Sequence, residues 1–279
     1  FKNIIMDRIL VPVDFSYNSL NALDYAVKLA ETLESRLYVV HIAKGGFLPN
    51  FMKNANELPK EVAEDKINKL EKKYGSDFEG EKIKFMIREG TFINEVNNLI
   101  DELDIELLIM GTQGKRKEMK TVFLGSNTMD VIEKVNYPLL IIPDHIKFKP
   151  IKKIVYATDY KFLGKHTLSP LKRIAIKFDA EVLLTSVVKD RDQKKYSKDE
   201  YKELRREHKM FAAVRHDFKR IYRSSIVKGI NYYIEKKKDI DMLTLIPRKH
   251  SIYEYFFKKS TTKAMSIHPR LPVLVLHDD

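Results

Sequence analysis

Short apolar runs alternate along the chain with segments whose apolar residues recur at helical spacing. The first run, residues 8–13, ends at Asp14 and is typical of a strand buried on both faces. Helical spacing then runs from Leu20 to Leu33, after Ser16, a residue type that favours a helix N-cap. The same alternation predicts further strands over 36–43, 82–88, 106–110 and 138–142, and helices over 59–74, 92–103 and 126–135.

This pattern occurs twice in the chain, in the same order. The aligned segments are 8–15 with 153–160, 36–43 with 181–188, and 136–144 with 270–278. Two copies of one unit predict two domains, over 1–146 and 151–279. The second copy has predicted strands over 153–158, 181–188, 216–223, 241–246 and 272–276, and helices over 165–178, 198–213, 226–238 and 260–267.

Alternating strands and helices predict an α/β fold of two tandem doubly wound domains. Each domain is expected to hold a five-stranded, mainly parallel sheet with helices on both faces. In such sheets ligands bind outside the carboxyl ends of the strands, at the point where the strand order reverses. Asp14 and Asp159 follow the first strand of each copy, and a glycine-marked loop follows the fourth strand of the first copy.

Composition indicates the compartment and the kind of partner. The chain has no cysteine, which excludes disulfides and fits a cytoplasmic protein. It has no apolar run near the roughly 20 residues of a membrane helix, and charges interrupt the first 16 residues, so neither a membrane span nor a secretory signal is predicted. The eight histidines are scattered without metal-ligand spacing, and we predict no protein-bound metal site.

The two halves differ in charge. Residues 1–146 hold 19 basic and 23 acidic residues, whereas the remainder holds 32 basic and 16 acidic ones. A basic second half fits an anionic partner such as nucleic acid, or a solvated basic face. We favour the solvated face, and we do not expect nucleic acid or a membrane as the partner.

The glycine-marked loop begins at Met110. Gly111 and Gly114 follow the buried strand directly, and Gly125 and Ser126 open the next helix. Glycines let a backbone approach a ligand closely, and a helix N-terminus attracts anions. The spacing matches neither a Walker A motif nor GxGxxG, and it leaves two interpretations: an anion-binding loop, or a turn followed by a capped helix.

The loop and two strand ends resemble the universal stress protein family in its tandem two-domain form. The family motif G-x2-G-x9-G-[ST] is similar to the stretch 111–126, where ten residues rather than nine separate the second and third glycines. The pattern VPVDFS at 11–16 and the pair His41-Ile42 at the end of the second strand also match. The resemblance extends over nearly the whole chain.

This resemblance implies a site for ATP or another adenine nucleotide, with a magnesium or manganese ion able to bridge the phosphates. Asp14 would hydrogen-bond the adenosine moiety; its alternative role is to cap the strand-to-helix turn. Ser126 and Asn127 would donate to phosphate oxygens. The implied nucleotide-binding residues are Pro12, Val13, Asp14, Ile42, Met110, Gly111, Gly114, Gly125, Ser126 and Asn127.

The second copy departs from the motif. Pro247 and His250 stand about where the first two glycines stand, and Lys259 replaces the third. Proline has no N–H to donate, and bulky side chains fill the space that a phosphate needs, so we expect no ATP to bind there in the same way. A smaller anion at Ser260, or a capped helix with solvated lysines, are the two remaining interpretations, of which we favour the second.

The resulting hypothesis is a cytoplasmic ATP-binding stress-response or regulatory protein whose first domain holds the nucleotide. The alternatives are a scaffold or anion-binding protein that uses the basic second domain, and a weak ATP-hydrolysing enzyme. Family members commonly pair edge strands, so 138–143 and 271–276 are expected to form an intrachain pseudo-dimer. The sequence decides neither whether two chains also form a homodimer nor which protein is the partner.

Overall fold

A computed structural model describes residues 6–43, 58–75, 82–112, 126–159, 163–164, 166–188, 197–246 and 270–278. These residues form two compact units, divided between Phe148 and Lys149. No helix in the described residues is long and apolar enough to cross a bilayer.

The first unit contains five parallel strands in the order β3-β2-β1-β4-β5. Its elements are β1 (Arg8–Pro12), α1 (Tyr17–Leu33), β2 (Arg36–Ala43), α2 (Lys60–Tyr74), β3 (Ile83–Glu89), α3 (Phe92–Leu103), β4 (Leu107–Gly111), α4 (Ser126–Lys134) and β5 (Leu139–Ile142). The central strand β1 is buried from Ile9 onward and β4 is buried from Leu107 to Met110, as the continuous apolar runs predict. The parallel α/β sheet predicted from the sequence is therefore confirmed.

The order of the strands places a switch point in the first unit. From β1 the chain adds β2 and then β3 on one side, and it returns to the opposite side of β1 with β4 and β5. The connections therefore leave β1 and β4 in opposite directions, which opens a crevice at their carboxyl ends. Asp14 follows β1, and Gly111 is the last residue of β4, so both lie at this crevice.

The second unit repeats this topology, with five parallel strands in the order β10-β9-β6-β7-β8. Its elements are β6 (Lys153–Ala157), α5 (Ser169–Lys177), β7 (Glu181–Val188), α6 (Lys198–Met210), β8 (His216–Tyr222), α7 (Ile226–Lys237), β9 (Met242–Leu245) and β10 (Val273–Val275). The helix predicted over 260–267 lies outside the described residues.

Helix α5 begins later than the sequence predicts. The predicted start was residue 165, whereas α5 begins at Ser169 after Leu168, a residue that provides no side-chain cap. Pro170, in the first turn, is tolerated there because it has no N–H to satisfy. The helix that follows the first strand therefore starts ten residues after Asp159 in the second unit but three residues after Asp14 in the first.

Candidate functional site

Asp14 occupies a tight turn between β1 and α1. The backbone N–H of Val13 donates to the carbonyl of Val40 at 2.8 Å, which continues the pairing with β2 to the last residue before Asp14. Asp14 is exposed, and its Oδ1 accepts from the backbone N–H of Ser16 at 3.0 Å. Ser16 in turn caps α1, because its Oγ accepts from the N–H of Ser19 at 3.3 Å. The predicted N-cap is confirmed.

The carboxylate of Asp14 has the turn-capping role that the sequence left as an alternative, and it keeps further acceptor capacity toward solvent. Partial desolvation by the surrounding atoms raises its pKa. Hydrogen bonds with Ser16 and Ser19 favour the ionised form and outweigh this effect, so the pKa of Asp14 lies below its ordinary value. The group is therefore an oriented, negatively charged acceptor at neutral pH.

An aromatic and cationic cluster lies beside Asp14. Phe15 adopts a left-handed backbone conformation with φ of 60°, and its ring centroid is 4.6 Å from that of His41. The Nδ1 of His41 lies 2.9 Å from the carbonyl oxygen of Val13, which can only accept, so this nitrogen carries the proton. Lys66 of α2 places its Nζ 5.1 Å from the Phe15 ring centroid. The sequence analysis did not identify Lys66, since nothing distinguishes it from the other lysines of a charged helix.

Gly111 is enclosed by the first turns of two helices. A Cβ at this position would lie 2.8 Å from the carbonyl carbon of Asn18 in α1 and closer still to its oxygen. On the other side, the hydroxyl of Thr128 in α4 donates to the carbonyl of Gly111 at 3.2 Å. Neither helix has an acidic residue in its first turn. Two helix N-termini, each with partial positive charge, therefore converge on the end of β4.

The remaining residues of the implied site are distributed around this point. Pro12, Val13 and Met110 are buried in or beside the central strands; Ile42, on β2 after His41, is partly exposed; Ser126 is the first residue of α4; and Asn127 is exposed in its first turn. Gly114 and Gly125 lie outside the described residues. The sequence analysis did not single out Thr112, whose hydroxyl is buried directly after Gly111 and has no hydrogen-bond partner among the described residues.

The hydrogen bond between Thr128 and Gly111 is expected to hold α4 against β4. Replacing Thr128 with valine keeps the shape and removes the donor, and we expect the free energy of unfolding to fall by roughly 1 kcal/mol in urea denaturation. The matched control is Thr32→Val, which removes an exposed hydroxyl bond to Lys28 within α1 and should change stability by less than about 0.5 kcal/mol. Equal effects of the two substitutions would contradict a specific contact at Gly111.

The second unit differs at the position of Gly111. The pairing of β6 with β9 can be compared with the pairing of β1 with β4. This comparison aligns the buried Ile246 with Gly111. The sequence predicts Pro247, the next residue, at about this position. In the described residues α5 begins ten residues after Asp159, whereas α1, whose Asn18 packs against Gly111, begins three residues after Asp14. Residues from Pro247 to 269 lie outside the described residues.

Both units are thus doubly wound α/β units, and the first has an oriented acid and a helix-enclosed glycine at its switch point. The model of the universal stress protein family matches residues 6–143. A universal stress protein of Methanocaldococcus jannaschii is 30% identical over 159 residues, which span 50% of this chain and 96% of that protein. A second one from the same organism is 27% identical over 140 residues, which span 48% of this chain and 81% of the relative.

A solved structure shares the fold over nearly the full length. A universal stress protein from Archaeoglobus fulgidus aligns with 99% of this chain and 98% of its own, with a TM-score of 0.67 at 18% identity. The match to the family model and the 30% identical relative, covered over 96% of its length, show that the chain belongs to the universal stress protein family.

Proposed function

We propose that the first unit binds ATP or another adenine nucleotide, and that the protein acts in the cytoplasm as a stress-response or regulatory protein. The observation that carries this proposal is the position of Asp14 and Gly111 at one switch point, with the first turns of α1 and α4 beside them. We also propose, from the internal repeat, that the second unit is a degenerate universal stress protein domain. It is proposed to contribute no equivalent phosphate site.

The residues at the switch point fit a nucleotide in three ways. The ionised Asp14 is an acceptor for the hydroxyl or amino donors of a nucleoside. The convergent helix N-termini favour phosphate oxygens, and the exposed Asn127 lies in the first turn of α4. The buried hydroxyl of Thr112, beside Gly111, has no partner in the described part of the chain, and a bound ligand would supply one.

Nucleotide occupancy, rather than turnover, is the proposed output. A ligand held between α1 and α4 would join two elements that already meet at Gly111, and it would stabilise the conformation that binds it better. A magnesium or manganese ion would be held mainly by the phosphates, because the described residues contain no cluster of metal-ligating side chains. The pairing of 138–143 with 271–276 and the existence of a homodimer stay predictions.

The test is isothermal titration calorimetry of the full chain with Mg-ATP. Asp14→Ala is expected to weaken binding by roughly 10–100-fold, because a hydrogen bond to a charged group contributes about 1.5–3 kcal/mol. Asp14→Asn keeps an acceptor for the N–H of Ser16 and removes only the charge, so its effect should be intermediate. The comparison of these two variants separates the loss of the negative charge from the loss of the hydrogen bond to Ser16 that holds the turn.

The matched control is Asp159→Ala, which changes the equivalent residue of the second unit and should leave the affinity unchanged. If the wild-type chain shows neither binding heat nor a thermal shift with Mg-ATP, the proposed site does not exist. If Asp14→Ala binds as tightly as Asp159→Ala, Asp14 takes no part in nucleotide binding.

A further inference from the structure

Polar side chains follow one another across three neighbouring strands of the second unit. Ser186 of β7 pairs with Arg220 of β8, and Thr158, directly after β6, donates its backbone N–H to Thr185 at 3.0 Å. Residues in register on parallel strands point to the same face, so the three side chains form one row. The corresponding residues of the first unit are Val13, His41 and Ile87.

Helix α6 lies over this polar row and is attached to it along its length. Near its start, Arg220 donates to Glu200 at 3.3 Å, and the Arg220 side chain is only 8% exposed. Just after its end, the ring centroid of Phe211 is 6.1 Å from that of Tyr156 in β6. Between these contacts, the side chain of Glu207 extends from near the end of α6 to Thr158, directly after β6.

Glu207 is a buried carboxyl group with one hydrogen bond. The residue is 3% exposed, and its Oε1 accepts from the hydroxyl of Thr158 at 2.6 Å. Its Oε2 is buried and has no hydrogen-bond partner among the described residues, and the same holds for the hydroxyl of Ser186 one strand away. An ionised Glu207 would therefore be a buried charge with an incomplete set of hydrogen bonds, which is much costlier than a neutral acid in the same place.

The charges around Glu207 do not compensate an ionised form. The charged groups that act on its carboxyl are Asp159 after β6 and Glu203 and Arg206 of α6. Arg220 of β8 pairs with Glu200 near the start of α6, and His208 of α6 contacts His216 of β8. Arg206 is turned to the carbonyl of Leu163 at 2.9 Å and to Glu203 at 3.7 Å. Burial above all raises the pKa of Glu207 to about 7, against the hydrogen bond from Thr158; Asp159 and Glu203 raise it further, and Arg206 lowers it.

We propose that the second unit carries a proton-dependent attachment of α6, in which protonated Glu207 holds the helix on β6 and ionised Glu207 loosens it. The free-energy cost of the ionised form falls when the carboxylate reaches water. This requires the last two turns of α6 to separate from Thr158. The contact between His208 and His216, with ring nitrogens 2.8 Å apart, lies one residue further along α6 and would be affected by the same movement. Proton concentration near neutrality would thus set how firmly α6 covers the polar row.

Hydrogen exchange of the full chain, followed by mass spectrometry at about pH 6 and about pH 8 and corrected for intrinsic exchange, tests this proposal. The opening constant of α6 is expected to rise roughly tenfold between these conditions, since a buried acid that ionises in this interval changes the open population by about that factor. Helix α7 of the same unit serves as the internal reference. Glu207→Gln, which keeps an oxygen acceptor for Thr158, should abolish the pH dependence, and Glu203→Gln should keep it.

An equal protection of α6 at both pH values in the wild type would overturn the proposal, and so would an unchanged pH dependence in Glu207→Gln. If the Gln variant does not fold, carbon NMR of labelled glutamates in the wild type decides the question. A Glu207 carboxyl that titrates near 7 together with the α6 amides supports the proton-dependent attachment, whereas titration at the ordinary value contradicts it.

Discussion

Replacing Gly111 with alanine is expected to lower the free energy of unfolding of the first unit by roughly 3 kcal/mol, near the upper end of overpacking effects. The added Cβ would overlap the backbone carbonyl of Asn18, which belongs to the first turn of α1 and cannot rotate away as a side chain can. To admit the methyl group, α1 must move relative to β4, which disturbs the buried contacts of both.

Urea denaturation monitored by circular dichroism measures this effect, and Thr112→Val is the matched control at the neighbouring position. Thr112 is buried and its hydroxyl has no partner among the described residues, so an isosteric valine should leave stability unchanged or raise it slightly. A loss of similar size in both variants would show that the strand end is sensitive to any change. Stability that is unaffected by Gly111→Ala would show that α1 does not approach β4 this closely.

The strands and helices could be predicted well from the sequence because their pattern is local. The spans of β2, α3 and β7 agree with the predicted ranges 36–43, 92–103 and 181–188 to the residue. Each is a run of apolar residues, or a helical stripe, between clear turn and cap signals. The predicted start of α5 was wrong because no side chain caps the beginning of this helix, whereas α1 has the capping Ser16.

The candidate site could be predicted only in part, since the sequence identifies residue types at strand ends but not what covers them. It placed Asp14 and Gly111 at the switch point through the alternation of strands and helices. It could not show that Asn18 packs on Gly111 or that Lys66 lies over Phe15, because each contact joins elements that are distant in the chain or meet through backbone atoms. Whether these residues bind a nucleotide stays a prediction.

Glu207 shows the same limit for a buried ionisable side chain. It belongs to a helix of mostly charged residues, a composition that normally indicates a solvated surface. Its burial follows from the register of Thr158 and Ser186 beneath α6, which no local pattern reveals. The second unit therefore contains a feature that depends on tertiary packing alone, and it can be tested through the pH dependence of stability.

Glu207→Gln is expected to stabilise the second unit at alkaline pH by roughly 3 kcal/mol and to leave its stability unchanged below about pH 4. The unfolded chain releases the Glu207 proton near the ordinary pKa of 4.5, whereas the folded chain keeps it until the pH reaches about 7. Between these values the folded state binds more protons than the unfolded state, so the contribution of Glu207 to stability falls as the pH rises. Above about pH 7 both states are ionised, and the deficit stays constant.

The measurement is the difference in unfolding free energy between Glu207→Gln and wild type at a series of pH values. Acids with lowered pKa values, such as Asp14 and Asp217, make stability rise with pH. Because both proteins contain these acids, their contribution cancels in the difference. Thr158→Val in the wild-type background should enlarge the deficit at pH 8, since it removes the hydrogen bond that favours the ionised form. A difference that does not change with pH would mean that Glu207 ionises in the folded chain as it does in the unfolded one, and that water already reaches its carboxylate beneath α6.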